Sequence, residues 1–173
     1  VVEVIVEIPK GSRNKYEYDE EHGGFWLNRV LYSSMHYPAD YGFVPDTLAE
    51  DGDHLDALVI VNEPTFPGCH LLVRPVAVLS MTDEAGVDSK ILTVPVRDPR
   101  FDEITDLPGV SHHLLREIEN FFATYKVLEN KPTATMGWQD RDSALEAIAK
   151  ARQRWVASRV RVSHRRDAIQ IAA

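Results

Sequence analysis

The apolar residues of this chain keep one spacing up to about Pro108 and another after it, and that switch restricts the folds open to it. At the start, Val2, Val4, Val6 and Ile8 alternate with Glu3, Ile5 and Glu7, the period-2 pattern of a strand with two distinct faces. Glu7 therefore points away from the valine face. NKYEY (14–18) alternates again, with Lys15 and Glu17 on one side and Tyr16 and Tyr18 on the other. Further strands are expected at 25–31, 55–61, 69–80 and 90–96, with breaks at Pro64, Pro67, Gly68 and Gly86. After Pro108, Leu114, Leu115, Ile118, Phe121, Phe122 and Tyr125 recur at helical spacing behind Ser111, an expected N-cap. A second helix is expected from Asp140 or Asp142 through Leu145, Ile148 and Trp155.

Many short strands followed by two helices predict a mainly β fold with added α structure. The form expected is an OB-like closed barrel of five to six strands, flanked by two C-terminal helices. At 173 residues the chain reads as one domain, 1–158, followed by a basic tail, 159–173. Residues 150–166 hold seven Lys/Arg and no acid, while the 149 residues before them hold 12 basic and 26 acidic residues, a balance of −14. A body so acidic repels nucleic acid and attracts divalent cations, so no nucleic-acid partner is expected. The basic tail reads as a solvated helix end and a dispensable one. Apolar runs fall short of the roughly 18 residues that a membrane span needs, and Glu3 and Glu7 make VVEVIVEIPKG a strand rather than a signal peptide. No membrane partner is expected. Cys69 is alone, which favours a reducing compartment, and the cytoplasm is the expected location.

The densest chemical feature is EDGDHLDALVIV (50–61), where Asp51, Asp53 and Asp56 crowd together ahead of an apolar strand. Carboxylates so close repel one another, and the three could converge on a hard cation such as Mg²⁺, which takes oxygen ligands. It is not an EF-hand, because the sixth-position Gly and the twelfth-position Glu are missing. An acidic turn with self-capping Asp side chains fits these residues equally well. MTDEAGVDSK (81–90) adds Asp83, Glu84 and Asp88, read as a loop, with Lys90 opening the next strand. Two acidic loops from distant parts of the chain are what a multi-metal site needs. Lys15, Arg29, Lys90 and Lys126 lie beside apolar segments that also hold Tyr37, Tyr41 and Tyr125. Arg as a fork, Lys as a point charge and phenol as a neutral donor together suit phosphate.

Four stretches resemble the family I soluble inorganic pyrophosphatases of the bacterial type: VEIPKGSRNKYEY (6–18), LNRVLYSSMHYPADYGFVPDTLAEDGDHLDALV (27–59), RPVAVLSMTDEAGVDSKI (74–91) and FFATYKVLE (121–129). They span most of the chain to about residue 155, in the family's order and spacing. The resemblance implies hydrolysis of pyrophosphate to two phosphates, dependent on Mg²⁺ with Mn²⁺ or Zn²⁺ as substitutes, by in-line attack of a hydroxide held between metal ions. It implies Asp51, Asp56 and Asp88 around a first metal, Asp56 shared with a second, Asp83 with Asp88 at a further one, and Glu7 at another. Lys15, Arg29, Tyr41, Lys90, Tyr125 and Lys126 would cradle phosphate oxygens. Asp53 would take the proton from the attacking water, a role also given to Asp88. Glu17, Tyr37 and Glu84 would support these residues from behind. A homo-oligomer, a hexamer, is implied as well, with His70, Trp155 or His112–His113 as candidate contacts.

The departures are specific. His54 stands where the family carries Pro, which removes a fixed φ and adds a group that titrates near pH 6.5 in the free residue; a modest change in metal affinity or pH profile is expected. Asn28 replaces an Asp before Arg29, and KPTATMGW (131–138) lacks the family's usual Lys- and Trp-rich wording. Two other functions compete, beside nucleic-acid binding through an OB-like barrel and the basic tail, which the acidic body makes the weakest. One is hydrolysis of another phosphoanhydride, polyphosphate or nucleotide, although no GxxxxGK[ST] loop is present. The other is a non-catalytic, metal-binding member.

Overall fold

A computed structural model describes residues 1–83 and 86–171, the side chains of Asp83 and of 161–171 excepted. The strands are β1 (Val2–Ile8), β2 (Asn14–Tyr18), β3 (Phe25–Val30), β4 (Asp40–Val44), β5 (Leu55–Val59), β6 (His70–Asp83), β7 (Gly86–Pro95) and β8 (Ala134–Gln139); the helices are α1 (His112–Thr124) and α2 (Arg141–Ile171). Hydrogen bonds run in the order β1-β4-β5-β7-β6, and β6 returns to β1, so five strands close a ring. All neighbours in the ring are antiparallel except β5 and β7. β8 adds to β6 beyond the β1 contact, and β2–β3 form a separate hairpin. This is the closed barrel with two C-terminal helices that the periodicity predicts.

Alternation sets the layers. Along β5, Leu58 joins an apolar cluster with Phe121, Phe122 and Ile118 of α1, while Ala57 and Val59 join a second with Ala144, Ile148 and Ala151 of α2. Both faces of the central strands are therefore buried, which is why their apolar runs are nearly continuous. Leu145, expected on the inward face of α2, is largely exposed, and the smaller Ala144 and Ala151 make the contact instead. Asp140 caps α2 by accepting from the backbone N and the hydroxyl of Ser143, at 3.0 and 2.7 Å. Ser111 precedes α1 but its side chain makes no capping bond. Helix α2 runs without interruption through the expected 158/159 boundary. Among the described residues no helix is long and apolar enough to cross a membrane.

Two strands escape the alternation rule. All five residues of β4 (DYGFV) are buried, so no polar face marks it, and Gly42 looks like a turn residue. The glycine is there for proximity: a Cβ on Gly42 would lie 1.9 Å from the Ile5 carbonyl oxygen of β1. β8 is a half-exposed outer strand with its own glycine. The segment 81–90, expected as an acidic loop, is instead the end of a long β6–β7 hairpin. Asp88 lies inside β7 opposite Met81, and Lys90 lies further along β7 opposite Leu79. The hairpin puts both side chains on a rigid strand, on the same face two residues apart. Glu84 and the Asp83 side chain lie outside the described residues.

Candidate active site

Where β1, β4, β5 and β7 meet the β2–β3 hairpin, a cavity of about 850 Å³ opens. It is lined by Glu7, Lys15, Glu17, Arg29, Tyr37, Tyr41, Asp51, Asp53, Asp56, Asp88, Lys90, Tyr125 and Lys126. The structure thus brings together every site residue expected from the sequence whose side chain it describes.

At the floor of the cavity, Lys90 of β7 is 1% exposed. Its Nζ donates to Asp56 Oδ2 at 2.6 Å, to both Asp88 oxygens at 2.8 and 2.9 Å, and to the Tyr41 hydroxyl at 3.2 Å. Tyr41 OH itself donates to Asp56 Oδ2 at 2.5 Å. Burial works against the ammonium charge, but Asp56 and Asp88 outweigh it and hold the Lys90 pKa above its ordinary value. Burial first, and then Asp56 and Asp88, push the Tyr41 phenol well up, so it remains a neutral donor. Tyr37 is raised likewise, by burial and then by Tyr125.

The acidic wall is short of positive charge. Burial raises Glu7 to about 7, against the Tyr18 N–H that donates to it at 2.9 Å, and Asp56 pushes in the same direction as burial. Asp53 is raised by burial, then by Asp51 and Asp56. Such crowding is relieved by a cation, and an all-carboxylate donor set suits hard divalent ions. Among the described residues no three acidic side chains converge on one point. The cation between Asp56 and Asp88 here is Lys90. The carboxylates of Glu7, Asp51, Asp56 and Asp88 offer the oxygen donors that a hard divalent ion prefers.

The Glu7 shift carries a sign. A folded carboxyl that keeps its proton to about pH 7, against 4.5 in its ordinary state, favours the folded chain below pH 4.5 and loses that contribution as pH rises to 7. In chelator, wild type should therefore lose about 2–3 kcal/mol relative to Glu7→Gln across this window. Urea midpoints of both proteins at pH 4.5, 5.5 and 7 check it. A constant difference between the two would rule the argument out.

The opposite wall is basic. Lys15 pairs with Glu17 along one face of β2, as the alternation predicts. Asn28 donates to Glu17 at 2.8 Å and accepts from Arg29 Nη1 at 3.1 Å, so it takes over a bridging place without the charge of an Asp. Arg29 Nε donates to Glu129 Oε1 at 3.0 Å. Its Nη2 is buried without a hydrogen-bond partner among the described residues, a donor that an anionic oxygen would satisfy. The Lys126 ammonium lies 5.6 Å from the ring centre of Tyr125. Glu129 went unrecognised in the sequence as a partner of Arg29, since 100 residues separate them; its place at the end of FFATYKVLE was the available signal.

His54 faces acceptors at both ring nitrogens, the Thr47 carbonyl at 2.8 Å and Glu20 Oε1 at 2.9 Å. Only the doubly protonated ring donates to both. The ring stacks on Phe43, with centroids 4.9 Å apart, and meets Trp155 of α2 at 5.2 Å.

Fold and site together define a closed β-barrel protein with a cavity lined by both acidic and basic side chains. The sequence model of one family, described as inorganic pyrophosphatase, matches residues 4–156. An inorganic pyrophosphatase of Methanosarcina acetivorans is 54% identical over 156 residues, which is 90% of this chain and 93% of that protein. One from Geobacillus stearothermophilus is 49% identical over 86% of this chain and 90% of its own length. The crystal structure of inorganic pyrophosphatase from Thermus thermophilus superposes with a TM-score of 0.86 at 45% identity, covering 88% of this chain and 90% of that one. The chain belongs to the inorganic pyrophosphatase family.

Proposed function

We propose that this cavity hydrolyses inorganic pyrophosphate to two phosphates with Mg²⁺ as its cofactor. Family membership supports the reaction, and one observation of the site carries the rest. Glu7 and Asp53, raised by burial and then by neighbouring carboxylates, share a cavity with Asp51, Asp56 and Asp88 and with Lys15, Arg29, Lys90 and Lys126. When bound, divalent cations supply charge neutralisation and acidify the attacking water. Glu7, Asp51, Asp56 and Asp88, with Asp83 as a further ligand, would hold them, and the acidic wall would then accept a polyanion.

The remaining work falls to the side chains. Lys15, Arg29, Tyr41, Lys90, Tyr125 and Lys126 bind phosphate oxygens, and the buried Arg29 Nη2 gains its missing acceptor. The neutral phenol of Tyr41 donates without adding charge. Asp53 takes the proton of the attacking water, because its raised pKa makes it a better base and Asp88 already has both oxygens on Lys90. Positioning and charge neutralisation then carry the in-line displacement. Assembly as a homohexamer and a cytoplasmic location belong to the same reading.

The test is phosphate release from pyrophosphate, tripolyphosphate and ATP, each with millimolar Mg²⁺, Mn²⁺ or Zn²⁺. Turnover of pyrophosphate far above the other two, highest with Mg²⁺, is expected. Preference for tripolyphosphate or ATP would replace the proposed substrate, and no turnover by the folded protein would make it a non-catalytic member. Light scattering on the same sample reads the assembly.

A further inference from the structure

The segment that carries Asp51 and Asp53 is exposed at its tip, and its base is attached to α2. Leu48 spends both of its backbone groups on that helix. Its N–H donates to the Ala151 carbonyl at 3.0 Å, and its carbonyl accepts from Arg154 Nε at 2.8 Å. Arg154 Nη1 also lies 3.9 Å from Glu50. From this base the chain closes on itself: Ala49 N donates to the Asp53 carbonyl at 2.7 Å, Asp53 N donates to Asp51 Oδ1 at 3.1 Å, and Gly52 turns the tip at φ +100°. Asp51 and Asp53 thus sit on a small loop hung from Leu48. Thr47, fully buried, fixes the preceding residue by donating to Val44 O and accepting from Leu55 N at 2.9 Å.

We infer that Arg154 is a positioning residue for the metal site, holding the Leu48 carbonyl so that the Asp51–Asp53 loop is set for a divalent ion before one arrives. This rests on the proposed reading of Asp51 as a metal ligand. The geometry favours Arg154 over a generic helix contact for two reasons. Leu48 is three residues from Asp51, so a shift at its carbonyl is passed to the carboxylate through a loop too short to absorb it. Arg154 itself, with a side chain 37% exposed, is near the surface and contributes little to the apolar core. Groups that orient a metal ligand through a hydrogen bond weaken metal binding about 10- to 100-fold when removed. Arg154 acts through the three residues from Leu48 to Asp51 rather than on the ligand itself, which puts its effect at about tenfold, the low end of that range.

The test compares wild type, Arg154→Met and Arg154→Lys by calorimetric titration of Mg²⁺ and Mn²⁺ into the metal-free proteins, followed by pyrophosphate turnover against Mg²⁺ concentration. Arg154→Met should weaken binding about tenfold and raise the half-saturating Mg²⁺ by the same factor. Its kcat at saturating Mg²⁺ should stay within about twofold, and its metal-free Tm should be unchanged. Arg154→Lys, which keeps a donor within reach of the Leu48 carbonyl, should recover most of the affinity. Should Arg154→Met fold poorly, Arg154→Leu, which also lacks a donor, serves in its place. Metal affinity equal to wild type, or a weakening in the Lys variant as large as in the Met variant, overturns the inference and leaves the metal site standing. A wild type that binds neither ion overturns both.

Discussion

Asp56→Asn should abolish most pyrophosphate turnover, by on the order of 10³-fold or more at saturating Mg²⁺. Asp56 Oδ2 accepts at once from Tyr41 and from Lys90, and the same carboxylate adds to the upward push that burial gives the pKa of Glu7 and of Asp53. The amide keeps the shape and removes the charge. Three consequences follow together: a proposed metal ligand is weakened, Lys90 is left with Asp88 as its remaining close acidic partner, and the carboxyl groups facing the cavity titrate closer to their ordinary values. Phosphate release, with far-UV circular dichroism to confirm folding, measures it. Retention of more than about a tenth of wild-type activity would contradict the central place given to Asp56.

Lys90→Met should be the most destabilising change at the site. It takes the buried ammonium from between Asp56 and Asp88 and leaves two partly buried carboxylates facing each other. Removing one partner of such a pair costs about 3–5 kcal/mol, a fall in Tm of roughly 6–20 °C for a chain of this size. Added Mg²⁺ should recover a good part of that loss, because a divalent ion can take over the neutralisation of Asp56 and Asp88. Turnover should stay low, since the proposed phosphate-binding ammonium is gone. Thermal melts with chelator and with Mg²⁺ separate the two effects. A Tm that Mg²⁺ fails to raise more in the variant than in wild type would mean that the lysine and the metal do not share this place.

Legibility in the sequence followed the physics of each element. β1 was readable because one of its faces is fully buried and the other is not, so Glu7 could be assigned a side; in β2, half-buried throughout most of its length, the charged–aromatic alternation alone put Lys15 and Glu17 together. β4 was not, because burial on both faces erases the alternation and the glycine needed for close approach to Ile5 imitates a turn. In the β6–β7 hairpin, Asp83, Glu84 and Gly86 have the composition of a loop, while the pairing of Met81 with Asp88 that makes it a strand is a property of two segments at once. The residue types of the site were legible through the family's wording. Their partners were not: Arg29 with Glu129, His54 with Glu20 and Leu48 with Arg154 are contacts over 100, 34 and 106 residues, which no local pattern encodes.

The ring closes only when β6 returns to β1, and the cavity draws on β1, β5 and β7, of which β1 pairs directly with neither of the others. Glu7, Asp56 and Asp88 come together through the β1–β4, β4–β5 and β5–β7 pairings, and Tyr125 and Lys126 are added by the chain that follows α1. A single strand pair therefore holds a fragment of the cavity but never the cavity. Ligand occupancy thus serves as a census of assembled molecules: what binds here selects whole molecules and draws the population toward them.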